Sequence, residues 1–195
     1  MKPDPLSVDP ALNIVVREKA FGGEVILREM ALRIGRSERV AMLGPSGSGK
    51  STLLAMIAGI DTDFDGTVER GSARLSMVFQ TPRLLPWRTL TQNIALMPDV
   101  PDKARARAAL AEVGLTDQAD AYPQMVSLGQ QRRAALARAL AVDPEILLLD
   151  EPLVSLDPQS VAAMLDLIGR VLDAHHGAAL IATHDRREAL ALADR

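Results

Sequence analysis

The chain has 195 residues, 48% hydrophobic and 24% charged, with 22 Lys and Arg against 25 Asp and Glu and no Cys. That is the size and balance of one globular domain that buries most of its unfolded surface unaided. The missing cysteines exclude disulfide scaffolds, thiol catalysis and the usual zinc modules. A formal charge of −3 and five aromatics (Phe21, Phe64, Phe79, Trp87, Tyr122) argue against a basic, base-stacking nucleic-acid surface.

Residues 1–10 carry three prolines and read as an extended lead-in. Leu12–Val16, the apolar part of Val25–Ile34, and Arg39–Leu43 are predicted strands, with Gly22-Gly23 turning between the first two. A helix is expected to follow the glycine-rich stretch after Leu43 and to run through Ser51–Ala58. Asp63–Gly66 has turn chemistry, and Leu75–Gln80 is a further apolar strand. Helices are expected over Asp102–Val113 and Gly129–Val142, the latter stopped by Asp143-Pro144. Ile146–Leu149 is a continuous apolar run of the kind that forms a buried parallel strand. Asp157-Pro158 starts a helix to about His175, Ala178–Thr183 is a strand and Arg186–Ala193 a helix. Strands alternating with helices imply an α/β fold with a mostly parallel core sheet. No apolar run reaches the roughly 18 residues of a membrane span. The chain is therefore expected to be soluble or to meet a membrane only through a partner.

Gly44-Pro45-Ser46-Gly47-Ser48-Gly49-Lys50-Ser51-Thr52 fits the phosphate-loop pattern G-x-x-x-x-G-K-[ST], with an apolar strand before it and a helix after. Glycines let successive backbone N–H groups converge on one anion, and the helix N-terminus adds positive potential. Lys50 supplies a charge to the β/γ-phosphates and the Ser51 hydroxyl a ligand for Mg²⁺. Asp150 and Glu151 end the apolar run Ile146–Leu149, 100 residues beyond Lys50. In phosphate-loop proteins an acid there holds Mg²⁺ and a neighbour orients the attacking water. Asp150 is assigned to the metal and Glu151 to the water, which points to ATP hydrolysis as well as binding.

The phosphate loop, Gln80, Ser127–Gln130, Asp150-Glu151, Asp157 and His184, in this order, resemble the ATP-binding subunits of ABC transporters across nearly the whole chain. Gln80 stands 30 residues beyond Lys50, Ser127 23 before Asp150, and His184 33 beyond Glu151. The resemblance implies a phosphate-loop NTPase core of mostly parallel sheet, N-terminal antiparallel strands, and a helical subdomain over about 86–141 carrying the signature segment. It implies that Gln80 contacts Mg²⁺ and the attacking water and that His184 bonds the γ-phosphate. Phe21 is similar to the aromatic that stacks on adenine; its other reading is core packing. His175 and His176 are assigned no catalytic role.

In this family two copies sandwich two ATP molecules head to tail, so Ser127, Gly129 and Gln130 would act on the partner subunit's ATP. Asp157 would bridge the two copies. The signature usually reads Leu-Ser-Gly-Gly-Gln; here it is Val126-Ser127-Leu128-Gly129-Gln130. If position 128 needs a positive φ, Leu there costs on the order of 1–2 kcal/mol. Gln80–Asn93 resembles the surface that receives the membrane-spanning partner, and Arg83-Leu-Leu-Pro-Trp-Arg88 looks most like importers of the nitrate, sulfonate and taurine type. The alternative for Leu84, Leu85 and Trp87 is core. Family members usually continue past Ala193-Asp194-Arg195, so a shortened edge is expected there, and an uncovered edge invites association.

Other readings are a hydrolysis-poor regulatory subunit, suggested by Leu128, and a DNA-repair-type ATPase. The 76 residues between Lys50 and Ser127 leave no room for the latter's long coiled coil. A nucleoside-phosphate kinase would need neither Ser127–Gln130 nor His184.

Overall fold

The computed structural model describes residues 10–97 and 102–195, so the lead-in expected over residues 1–10 lies outside it except for Pro10. Two sheets organise the chain. β1 (Leu12–Phe21) and β2 (Glu24–Ile34) form an antiparallel hairpin that turns at Gly22-Gly23, and β4 (Asp65–Glu69) adds to the far edge of β1, giving the order β2-β1-β4. β3 (Arg39–Leu43), β5 (Leu75–Val78), β6 (Ile146–Asp150) and β7 (Ala178–Thr183) form a parallel sheet in the order β3-β7-β6-β5. Every residue of β6 and β7 is buried, as unbroken apolar runs covered on both faces require.

The two faces of the parallel sheet bury different cores. On one face Ile146, Leu148, Leu180 and Ala182 pack with β1 and with α1 (Lys50–Ile57). On the other, Leu147, Leu149, Ala179 and Ile181 pack with α2 (Leu90–Ile94), α3 (Lys103–Glu112), α4 (Leu128–Leu140) and α5 (Pro158–Ala174). Leu192 of α6 (Arg186–Leu192) joins this second core. Among the described residues no helix is long and apolar enough to cross a membrane.

Helix starts follow from side-chain caps. Asp102 accepts from Arg105 N at α3, and Asp185 accepts from Arg187 N at α6. Thr89 and Gln92 form a reciprocal capping box at α2, and Ser127 and Gln130 form another at α4.

The structure corrects the sequence reading at several elements. Of the turn expected at Asp63–Gly66, the second half opens β4 at Asp65, after a bend at Phe64, and Gly66 pairs with Val16; a Cβ on Gly66 would run into the Val15 carbonyl. The glycine thus marks a close strand approach, not a chain reversal. β1 runs five residues past its expected end at Val16, because the hairpin continues into solvent with Arg28 paired to Glu18, whereas β2 fills the expected Val25–Ile34 and starts one residue earlier. The helix α2 and a short 3₁₀ turn at Pro123–Met125 were not expected at all.

Candidate nucleotide site

The chain leaves β3 at Leu43, curls through residues 44–49 and enters α1 at Lys50. Gly47 and Gly49 hold φ values of 82° and 87°, which residues with a Cβ rarely adopt. A Cβ on Gly49 would stand 2.7 Å from Leu27 Cδ2, and one on Gly44 would stand 2.6 Å from Ser48 Oγ. The loop is wrapped around the Lys50 ammonium, which donates to Gly44 O at 2.8 Å and Pro45 O at 2.9 Å. Lys50 Nζ also lies 3.2 Å from Glu151 Oε1.

The other side of the cleft comes from the ends of β5, β6 and β7. Asp150, buried at the end of β6, accepts from Ser51 Oγ at 2.9 Å through Oδ1. Burial pushes the Asp150 carboxyl above the ordinary aspartate value, the Glu151 charge acts the same way, and Ser51, Lys50 and Arg83 oppose them. Glu151 sits at φ 43°, a left-handed backbone at the strand end that turns its carboxylate toward the loop. Its Oε2 lies 3.1 Å from His184 Nδ1, and an acceptor-only carboxylate there calls for the Nδ1–H tautomer. His184 follows β7, neighbour of β6, which is why residues 33 apart meet.

An open cleft of about 250 Å³ joins Phe21, Ser46, Gly47, Gly49–Thr52, Gln80 and Glu151. Phe21 is half exposed there, so its ring belongs to the cleft wall and not to the core. The sequence reading missed what lies beneath it. The Lys19 ammonium, fully buried, stands 4.4 Å from the Phe21 ring centroid and bonds to Asp61 Oδ1 and the Asp63 carbonyl. The Lys19-x-Phe21 spacing, which puts both side chains on one face of a strand, is the one signal that pointed to it.

The remaining expected residues stand apart from this cleft. Ser127 Oγ accepts from Gln130 N, and Gln130 Oε1 accepts from Ser127 N at 2.8 Å, so both side chains cap α4. Ser127 and Gly129 line a different cleft of about 480 Å³ between α3, α4 and α5. Leu128 is the first residue of α4 and is not among the residues with positive φ, so the backbone strain considered for it is absent. Asp157 is exposed and accepts from Ser160 N at the start of α5. Trp87 is 68% exposed, whereas Leu84 packs against the helical-side core.

The oxygen set suits Mg²⁺, which takes one or two carboxylates together with phosphates and water. The Ser51 hydroxyl and Asp150 carboxylate already meet at one point. Among the described residues no group of three or more His, Asp or Glu gathers that would hold a metal by protein alone.

Comparisons with known proteins cover most of the chain. The sequence model described as ABC transporter matches residues 27–154. The aliphatic sulfonates import ATP-binding protein SsuB 2 of Frankia alni is 49% identical over 186 residues, covering 95% of this chain and 75% of its own length. The SsuB protein of Granulibacter bethesdensis is 46% identical over 187 residues, covering 95% and 78%. A solved dimeric ATP-binding cassette in a post-hydrolysis state, bound to ADP and Pi, superposes with a TM-score of 0.79 at 28% identity, over 92% of this chain and 90% of that one.

Proposed function

The chain belongs to the ABC transporter family and hydrolyses ATP to drive transport, and from that premise we propose that it is the motor subunit of an importer for aliphatic sulfonates. The cargo class rests on the names of its relatives and on the Arg83-Leu-Leu-Pro-Trp-Arg88 segment. The assignment of the hydrolytic centre rests on the Glu151 carboxylate, which joins Lys50 and His184 at the mouth of the phosphate loop.

In this reading the amides of Ser46–Ser51 and the α1 N-terminus hold the phosphates. Lys50, now shared among Gly44 O, Pro45 O and Glu151, turns to the β/γ-phosphates and leaves Glu151 free to take a proton from the attacking water. His184 orients Glu151 from one side, and Gln80, two residues beyond β5, faces the same space. Ser51 and Asp150 would hold Mg²⁺, which when bound offsets charge on the phosphate oxygens. Phe21 offers its outer face to the adenine.

Two copies would pair, as the solved cassette does, and would face each other head to tail, with Ser127, Gly129 and Gln130 presented to the partner's ATP and Asp157 at the contact. The Gln80–Asn93 segment, which exposes Trp87 while burying Leu90, Thr91 and Asn93, would dock a membrane-spanning subunit, holding the protein at the inner face of the membrane. The test is ATP-dependent uptake of a labelled alkanesulfonate by vesicles carrying this chain and its membrane partner. Uptake that follows Mg²⁺-dependent phosphate release supports the proposal. Phosphate release with no preference for sulfonate over other cargo overturns the cargo class alone.

A further inference from the structure

α4 carries two arginines that none of the roles above uses. Arg132 is 7% exposed, donates from Nη1 to Pro152 O at 3.3 Å, and leaves its Nε buried without a partner. Arg138 donates from Nη1 to Arg83 O at 2.8 Å and from Nη2 to Pro82 O at 3.0 Å. Neither guanidinium pairs with a carboxylate among the described residues; each is spent on backbone carbonyls. A buried cation without a counter-charge weakens a fold unless its hydrogen bonds do something a neutral side chain cannot.

What those carbonyls belong to decides the matter. Pro152 follows Glu151 directly, and Pro82–Arg83 follow Gln80 by two and three residues. Both segments are conformationally demanding: Glu151 holds φ 43°, and Arg83 holds φ 47° with its guanidinium 4.2 Å from the Phe79 ring centroid. The helix that grips both is the one whose first turn is the Ser127–Gln130 cap. A third arginine of α4, Arg133, has similar chemistry but donates to Val113 O at the end of α3, away from either loop.

We propose that α4 is a strut joining the signature segment to both hydrolytic loops, with Arg132 and Arg138 as positioning residues that set Glu151 and Gln80 through the backbone beside them. Displacement of the α4 N-terminus by a partner copy then reaches both loops through one rigid element. The inference rests on the reading that Glu151 and Gln80 serve hydrolysis.

The test compares Arg132→Met, Arg138→Met and Arg133→Met in the full chain. The first two lower kcat at least fivefold with the KM for ATP within twofold, whereas Arg133→Met keeps the parent kcat. Arg132→Met does not lower the melting temperature, because it removes a buried unpaired cation, and Arg132→Lys, which retains one charged donor, recovers part of kcat. Amide exchange in the nucleotide-free chain separates the two ties. Arg138→Met speeds exchange at Leu85 and Arg88, whose amides bond to Asn93 Oδ1 and Leu85 O. Arg132→Met speeds exchange at Val154 and Leu156, whose amides bond to Glu151 O and Leu153 O.

Unchanged kcat in both Met variants, an equal loss in Arg133→Met, or exchange that rises uniformly through the chain overturns the proposal. If Glu151→Gln and Gln80→Ala keep the parent turnover, the hydrolytic reading fails instead. Local exchange at the two loops still decides whether the ties exist.

Discussion

His184 Nδ1 lies 3.1 Å from Glu151 Oε2, while the other oxygen of the same carboxylate lies 3.2 Å from Lys50 Nζ. One side chain thus links the phosphate loop to the end of β7. Glu151→Gln keeps the shape, but its amide oxygen accepts from only one of the two donors and the side chain cannot take a proton from water. Its turnover is expected to fall about 10²–10⁴-fold with ATP binding retained. Phosphate release and titration with a fluorescent nucleotide read the two quantities separately, and parent-like turnover would remove Glu151 from its role.

Phe21 lines the cleft, with the Lys19 ammonium 4.4 Å from its ring centroid. Stacking on a base contributes about 1–3 kcal/mol. Phe21→Ala is therefore expected to raise the KM for ATP roughly tenfold while kcat at saturation holds. A steady-state titration checks this, and an unchanged KM would return Phe21 to a packing role.

Gly49 faces two obstacles to a side chain: φ 87° and the Leu27 methyl 2.7 Å from where a Cβ would stand. Gly49→Ala should abolish nucleotide binding measured by calorimetry. Adding Leu27→Ala removes the collision but not the backbone strain, so the double variant should recover binding only in part.

Leu128 has a helical backbone, and its side chain is 44% exposed. Leu128→Gly therefore relieves no strain and costs roughly 0.5–1 kcal/mol of helix stability, a drop of about 2–4 °C in Tm at most for a chain of this size. A rise in turnover in this variant would have to come from clearing an apolar group from the face met by a partner copy. Tm and phosphate release measured together distinguish the two effects.

Glu188 of α6 is buried beside Thr183, which donates to it. Burial raises its pKa above the ordinary glutamate value, the Thr183 hydrogen bond opposes that, and the Asp185 charge adds to it. The sign follows from linkage. The fold holds the proton more tightly than the unfolded chain does, so Glu188 weakens the fold at pH above its raised value, and the penalty fades as pH falls through it. Glu188→Gln, still able to accept from Thr183, should raise Tm at neutral pH and lose that advantage below the ordinary glutamate range. A Tm gain independent of pH would contradict this.

Elements dictated by local pattern were legible in the sequence. β6 and β7 are continuous apolar runs, and the phosphate loop states its own backbone needs through Gly47 and Gly49. β4 was hidden because Asp63–Gly66 has turn composition, while the pairing of Gly66 with Val16 is a tertiary fact 50 residues away. α2 was hidden among prolines, although Thr89-x-x-Gln92, like Ser127-x-x-Gln130, is a capping-box spacing that could have marked it. The meeting of Glu151 with His184 depends on β7 lying beside β6, and strand order is not written in either strand.

The parallel sheet separates two cores, and alternate residues of one strand report to different sides: Leu148 to the α1 side, Leu147 and Leu149 to the α2–α5 side. The sheet is a party wall. Repacking on one side leaves the neighbour's furniture in place, so apolar substitutions in the core of the helical half can accumulate without disturbing the packing behind the phosphate loop, provided the α4 arginines are kept. Leu147 and Leu148 are one residue apart yet share no core, so any coupling that a double-mutant cycle finds between their volume changes passes through the strand backbone they have in common.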